Sequence, residues 1–386
     1  MRVVIASRIF APEPAAASFR LTALAHALHD RGADVTVLTT AVPGAASHPI
    51  DRTVDVRRVP VWRDDAGYVR GYLQYLSFDV PLLLRLLAVE RPDVVVVEPP
   101  PTTGAIVRLV CAIRRIPYVY YAADIWSDAA ATAAPKLIVR AVRAVEGWAI
   151  RGSAAVLSVT DGVTLRVGEL GARKLIATVG NGVDTSTFSL DGPAADLAAP
   201  YLLYAGTASE VQGAAVFVEA FQRLFEDRPD ARLVFLGHGS DWKHLQDLAR
   251  ALPPGAVRFL PRAPAAVAAE WLRGATATLA SIRPGEGYDF ARPTKILASA
   301  ACGTPVIFAG AEATGALVTD ASLGWAVGYD VTEVERAMAD AVNAPARPER
   351  RSRIAAWAAD NVSIRAVAER ASDVVIGAGS REPNHR

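Results

Sequence analysis

Lysine is scarce in this chain. Four lysines, at positions 136, 174, 243 and 295, stand against 37 arginines. Lys295 follows Pro293-Thr294 and precedes the apolar run Ile296-Leu297-Ala298, a pattern that predicts the first turn of a helix. Unpaired backbone N–H groups and the helix dipole already favour an anion there, and an ammonium can neutralise a diphosphate. The competing reading is a solvated surface lysine. Gly206-Thr207-Ala208-Ser209 is a run of small residues after an apolar stretch, ending near Gln212-Gly213. Such residues let a backbone approach a phosphate closely, or simply make a strand-to-helix turn. Gly237-His238-Gly239 follows Val234-Phe235-Leu236. His238 has no partner at metal-ligand spacing, which argues against a metal there. Arg20 stands at the start of the first predicted helix, where it can hold an anionic group or be one more surface arginine.

These residues need strands and helices to bring them together. Short apolar runs at Val3–Ile5, Val35–Thr39, Val94–Val97, Tyr118–Tyr121 and Ala155–Val159 predict strands. Val94–Val97 is apolar on both faces, as in a covered parallel sheet. Leu21, Leu24, Ala25 and Leu28 share one face of a helix over 18–32. The alternation restarts at Tyr201–Gly206, with strands at 232–236, 257–260, 277–280 and 304–308 and helices between and after them. The expected fold class is α/β, two Rossmann-like parallel-sheet domains facing a central cleft. The expected domains are 1–180 and 181–362, with a helix over 363–376 and a flexible Gly/polar tail over 377–386.

Composition removes several functions. The 386 residues suffice for about two domains, and 52% are hydrophobic, enough for large cores. Forty-one basic against 40 acidic residues give a net charge of +1 and no global pull toward nucleic acid. Cys111 and Cys302 lie among apolar neighbours and are expected to be buried thiols. No apolar run reaches the ~18 residues of a membrane span, and the N-terminus reads as a strand rather than a signal peptide. Neither Gly-x-Gly-x-x-Gly nor Gly-x-x-x-x-Gly-Lys-Ser/Thr nor Asp-x-Asp occurs, which disfavours a dinucleotide enzyme, a P-loop and a metal-held sugar nucleotide.

An ordered set of motifs is more specific. Phe10-Ala11-Pro12-Glu13 and Arg20 open the chain. Glu98-Pro99-Pro100-Pro101-Thr102-Thr103-Gly104, Ile116-Pro117-Tyr118-Val119 and Ala123-Asp124-Ile125-Trp126 follow. Then come Val179-Gly180-Asn181-Gly182-Val183-Asp184, Pro293-Thr294-Lys295-Ile296-Leu297 and Ala301-Cys302-Gly303-Thr304-Pro305. Over about residues 1–376 this set resembles the retaining glycosyltransferase family 4, of the GT-B fold, in the subset with a Pro-Ser/Thr-Lys donor-site motif.

The resemblance implies a hexosyltransferase-type enzyme that moves a sugar from a nucleoside-diphosphate sugar to an acceptor with retention. It implies an acceptor-side amino domain and a donor-binding carboxyl domain, joined by the last helix crossing back. Lys295, Asp124 and Glu286 are the implied catalytic residues. Gly206, Thr207, Gly237, His238, Gly239, Leu260, Thr294, Lys295 and Ile296 are the implied donor-binding residues, with Leu260 offering backbone groups to the base. Glu13, Arg20 and Asp124 are the implied acceptor-binding residues; for Asp124 a helix cap competes with orienting or deprotonating a hydroxyl. The leaving phosphate helps take the acceptor proton, so no enzyme nucleophile is expected. No metal and no cofactor are expected beyond the donor substrate.

One departure stands out. The family's pair of glutamates, the second of which holds the donor ribose, is Phe290 and Ala298 here. Glu286 or Asp289 are the carboxylates nearby that can substitute. The loss motivates an alternative, a non-catalytic glycosyltransferase-like binding protein; a nucleotide-sugar epimerase is a further one. The expected setting is a bacterial cytoplasm, in envelope polysaccharide or secondary-metabolite synthesis, with a small-molecule or lipid-linked acceptor and no nucleic acid. Arg140, Arg143 and Arg151 with Trp148 also offer a peripheral contact with anionic headgroups at the inner membrane face, diluted by Glu146. A solvated helix face is the competing reading, and the oligomeric state is left open.

Overall fold

The computed structural model describes residues 1–13, 15–43, 53–64, 69, 71–131, 134–285, 293–344 and 347–380 (backbone only at 72, 313 and 314). The chain forms two compact units. Unit 1 is Met1–Asn181 with the chain from Ile364 onward, and unit 2 is Gly182–Ser363.

Unit 1 runs β1 (Arg2–Ala6), α1 (Ala16–Asp30), β2 (Asp34–Thr40), β3 (Asp55–Val59), α2 (Tyr72–Ala88), β4 (Val94–Val97), α3 (Pro101–Arg114), β5 (Tyr118–Ala122), α4 (Trp126–Ala131), α5 (Lys136–Gly152), β6 (Ala155–Ser158), α6 (Asp161–Glu169) and β7 (Leu175–Thr178). Its seven strands pair in parallel in the order β3-β2-β1-β4-β5-β6-β7. The four valines of β4 are fully buried, as a strand covered on both faces must be. Leu21, Leu24, Ala25 and Leu28 form the buried face of α1.

Unit 2 runs β8 (Tyr201–Thr207), α7 (Ala215–Asp227), β9 (Arg232–His238), α8 (Trp242–Ala249), β10 (Val257–Leu260), α9 (Ala265–Gly274), β11 (Ala277–Ser281), α10 (Thr294–Ala301), β12 (Val306–Ala309), α11 (Glu312–Asp320), β13 (Gly324–Val327), α12 (Val331–Asn343) and α13 (Pro348–Asn361). Its six strands are parallel in the order β10-β9-β8-β11-β12-β13. Where the chain enters and leaves this unit, Val183 N–H donates to the Val362 carbonyl at 2.8 Å.

The last helix, α14 (Ile364–Gly379), belongs to unit 1 and buries Val367, Ala371 and Val375 in that core. Arg31, just after α1, pairs with Asp373 at 2.6 Å, and Arg370 donates to the Val179 carbonyl at 2.8 Å. The helix reaches Gly379, so the first residues of the expected tail are helical, because Val375 and Ala378 still face the core. Residues 381–386 lie outside the described residues. Both cysteines are free and buried, and burial pushes Cys302 up to about 11.

Candidate active site

Each sheet has one place where neighbouring strands send their connections to opposite faces, and ligands bind at the carboxyl ends there. In unit 1 this lies between β1 and β4, in unit 2 between β8 and β11.

In unit 2 the carboxyl ends of β8 and β9 lie in register, Gly206 beside Gly237 and Thr207 beside His238. The backbones approach so closely that side chains are excluded. A Cβ on Gly237 would sit 2.1 Å from the Gly206 carbonyl oxygen, and one on Gly239 would sit 1.7 Å from that of Ala208. Both glycines also hold positive φ, 150° and 157°. Gly206, Thr207 and His238 are exposed, so this paired edge offers bare backbone to a ligand. Gln212 ties the loop, its amide oxygen accepting from the Ser209 N–H at 2.9 Å.

Lys295, in the first turn of α10, reaches into this corner. Its Nζ lies 3.5 Å from the centre of the Tyr204 ring and 3.5 Å from the Thr207 carbonyl oxygen. A Cβ on Gly206 would be 3.8 Å from the same Nζ. The lysine is half-buried rather than solvated. Burial pushes its pKa down to about 7, so the ammonium is poised to regain a proton when an anion arrives. Thr294 is exposed beside it, on a helix start with no side-chain cap. Leu260 closes β10 at the same sheet end, opposite Leu236 of β9.

One donor-side expectation needs correction. Ile296 is buried in the core and its N–H already donates to the Pro293 carbonyl at 3.1 Å, so neither part of it can serve a ligand. Ala298 packs against two apolar clusters and brings no carboxylate to α10. Glu286, Asp289 and Phe290 lie outside the described residues.

In unit 1 a polar pocket of about 240 Å³ opens at the switch between β1 and β4. Ser7, Arg8, Arg20, Glu98, Asp124, Trp126 and Asn181 are among its lining. Arg20 is buried, ion-paired with Glu98, and its guanidinium lies 5.0 Å over the Tyr121 ring. Burial, the largest single influence, would lower its pKa; the charge and hydrogen bond of Glu98, with Tyr121 and Asp124, together raise it. The surface-arginine reading therefore fails. Arg8 stacks over both Tyr75, at 5.0 Å, and Trp126, at 5.7 Å. The Nε atoms of Arg8 and Arg20 are buried with no hydrogen-bond partner among the described residues.

Asp124 lines this pocket, and the cap of the following helix is made by another residue. The N–H groups of Trp126 and Ser127 donate to the two oxygens of Glu146, at 2.8 and 2.9 Å. Glu146 is thus buried and does not dilute the basic face of α5, where Arg140 and Arg143 are exposed. Glu13 is not among the pocket's lining residues. It is buried against Arg63 at 3.2 Å, a bidentate pair that occupies its carboxylate.

Sequence reasoning missed Glu98, Arg8 and Tyr204 as site residues. Glu98 had one readable signal, a charge directly after the four valines of a covered strand, where a strand's carboxyl end faces ligand. Arg8 and Tyr204 act through rings that only tertiary structure brings close.

Residues 16–182 match the model of the glycosyl transferase 4-like domain, and residues 199–344 that of the glycosyl transferases group 1. The chain belongs to the GT-B glycosyltransferases. Solved structures show the same fold at low identity. Anabaena Alr3699/HepE in complex with UDP-glucose is 15% identical, with TM-score 0.65, covering 98% of this chain and 100% of that one. Sucrose-phosphate synthase from Thermosynechococcus elongatus is 14% identical, with TM-score 0.71 and 98% of each chain covered. A candidate UDP-N-acetylglucosamine 2-epimerase from Listeria monocytogenes is 16% identical, with TM-score 0.59, covering 95% of this glycosyltransferase and 93% of that chain. No curated protein matches by sequence. Among the described residues no helix is long and apolar enough to cross a membrane.

Proposed function

We propose that this glycosyltransferase transfers a sugar from a nucleoside-diphosphate sugar held by unit 2 to an acceptor hydroxyl held by unit 1, with retention of configuration. The observation that carries the reading is the place of Lys295, its Nζ against Tyr204, Thr207 and Gly206 at the switch point of the second sheet. The bond between the anomeric carbon and the diphosphate oxygen breaks while the acceptor oxygen adds on the same face. The acceptor proton passes to the departing phosphate oxygen, so the chain supplies no nucleophile. The Lys295 ammonium and the start of α10 neutralise the charge that grows on the diphosphate, in a partly desolvated corner where that attraction is strong. Asp124 orients the acceptor hydroxyl, with Arg20 fixed by Glu98 beside it. The chemistry asks for no metal or other cofactor.

The HepE complex with UDP-glucose makes uridine diphosphate the first donor nucleotide to try. Both family models describe transferases, which favours transfer over epimerisation, an activity the shared fold alone does not separate. The basic and apolar face of α5, with Lys136, Leu137, Ile138, Arg140, Arg143 and Trp148, supports peripheral contact with an anionic bilayer. Ala298 favours one second reading, a non-catalytic binding protein that lacks a carboxylate for the ribose. Assays of the full chain against nucleoside-diphosphate sugars decide between them. Lys295→Ala should lower transfer by at least about 100-fold, as loss of a transition-state charge partner does, without lowering the melting temperature. An unchanged rate would remove Lys295 from the reaction, and nucleotide binding without transfer or hydrolysis across a broad donor panel would favour the second reading.

A further inference from the structure

Unit 1 holds a second cavity, larger than the polar pocket and different in chemistry. It has a volume of about 640 Å³, opens to the surface and lies among α2, α4 and α5. Its lining is almost wholly apolar, with Ile138, Ala141, Val142 and Val145 from α5 and Ala130 from α4. That size falls within the range of pockets that bury a small organic ligand. A cavity this apolar offers nothing to a sugar or a phosphate.

The two cavities share a wall. Trp126 lines both. Tyr75, on the apolar side, meets Trp126 edge to face with ring centres 5.7 Å apart. Arg8, on the polar side, lies over both rings. One side of this aromatic pair therefore presents guanidinium, Glu98 and Asp124, and the other presents hydrocarbon. A ligand spanning Trp126 would need a hydroxyl-bearing polar head and an apolar body.

We propose that the acceptor is an amphiphile, bound as a single molecule, whose polar head sits in the Arg20–Glu98–Asp124 pocket and whose apolar body fills the cavity between α2, α4 and α5. This deepens the acceptor reading of unit 1 and rests on it. The charge pattern fits. Ten of the sixteen exposed large apolar side chains of the described residues lie on α2, α3 and α5, and no exposed acidic side chain does. An apolar molecule thus meets a hydrocarbon-rich approach to the cavity whose exposed charges, Lys136, Arg140, Arg143 and Arg151 of α5, are all basic.

The test uses the full chain without donor. n-Octyl β-D-glucoside, kept below its micelle-forming concentration, and D-glucose are titrated by calorimetry. Each buried methylene is worth about fourfold in affinity. The octyl glucoside should therefore bind at least about 100-fold tighter than glucose, even with part of its chain left in water. Ala141→Trp, which fills the cavity from an exposed helix position, should bring the ratio to within about threefold. Should that variant fail to fold, Ala129→Trp, also exposed and on the lining, replaces it. Equal binding of the two probes, a preference that survives the filled cavity, or binding to anionic phospholipid vesicles with none to the monomeric probe would each overturn the proposal. The melting shift with uridine diphosphate, read in the same samples, separates this failure from a failure of the donor reading in unit 2.

Discussion

Lys295 keeps its ammonium against an aromatic face and a carbonyl, with little water to share the charge. Burial is the cause of its low pKa, about 7, and the sign of the consequences follows. A diphosphate binds best to the protonated form, so its affinity should fall as pH rises above 7, by up to about tenfold per unit. Lys295→Met should flatten that profile. Stability runs the other way. Between about 7 and the ordinary 10.5 the unfolded chain binds more protons than the folded one, so the lysine costs stability that returns as pH rises. The ligand-free Lys295→Met protein should therefore melt higher at pH 7, with a gain that shrinks toward pH 10. Calorimetric titrations with uridine diphosphate from pH 6.5 to 9, and melting curves over the same range, check both halves. An unshifted, pH-independent affinity would show that the lysine does not meet the diphosphate. Lys295 could be read from the sequence because lysine is rare and its neighbours mark a helix start. Its partner Tyr204 could not, since nothing in a strand of apolar residues says which ring a side chain 91 positions later will cover.

At the scale of elements, Glu146 is one residue of α5 that completes another helix. It satisfies two backbone N–H groups at the start of α4, the helix that carries Trp126. Glu146→Ala should cost about 2–3 kcal/mol, since two buried donors are left unpaired, and lower the melting temperature of unit 1 by several degrees. Glu146→Gln, which keeps one acceptor, should fall between; equal losses for the two would mean that packing and not capping is at stake. This contact was not legible, because a glutamate among arginines on a predicted helix reads as a surface residue. The strands that escaped the sequence have a common cause. β3, β7 and β13 all lie at sheet edges and bury no residue fully; β3 lacks an apolar run, and those of β7 and β13 are only three residues long. β3 even carries Arg57 and Arg58. The helix α2 was hidden by Pro81 in its interior, which reads as a break. By contrast the central strands and the buried face of α1 were legible, because burial on both faces or along one stripe writes a periodic pattern.

At the scale of the whole molecule, the chain builds unit 1, builds all of unit 2, and then adds α14 to unit 1. Val367, Ala371 and Val375 fill the core beside α1 and β4, so unit 1 is incomplete without them. A chain ending at Ser363 should lose about 4 kcal/mol or more from unit 1, from two valines and an ion pair, while unit 2 keeps its stability. Thermal unfolding followed by circular dichroism should then show one early and one unchanged transition. Two unchanged transitions would mean that α14 merely covers the sheet.

The same threading sets an order of events at the ribosome. Translation must release all 182 residues of unit 2 before the helix that seals unit 1 can emerge, an interval of about ten to forty seconds. Through that interval the nascent first half stands open along an oily seam beside α1. Its safe maturation then depends on how quickly the inserted half folds out of the way, or on a chaperone that shields the seam until the closing helix arrives.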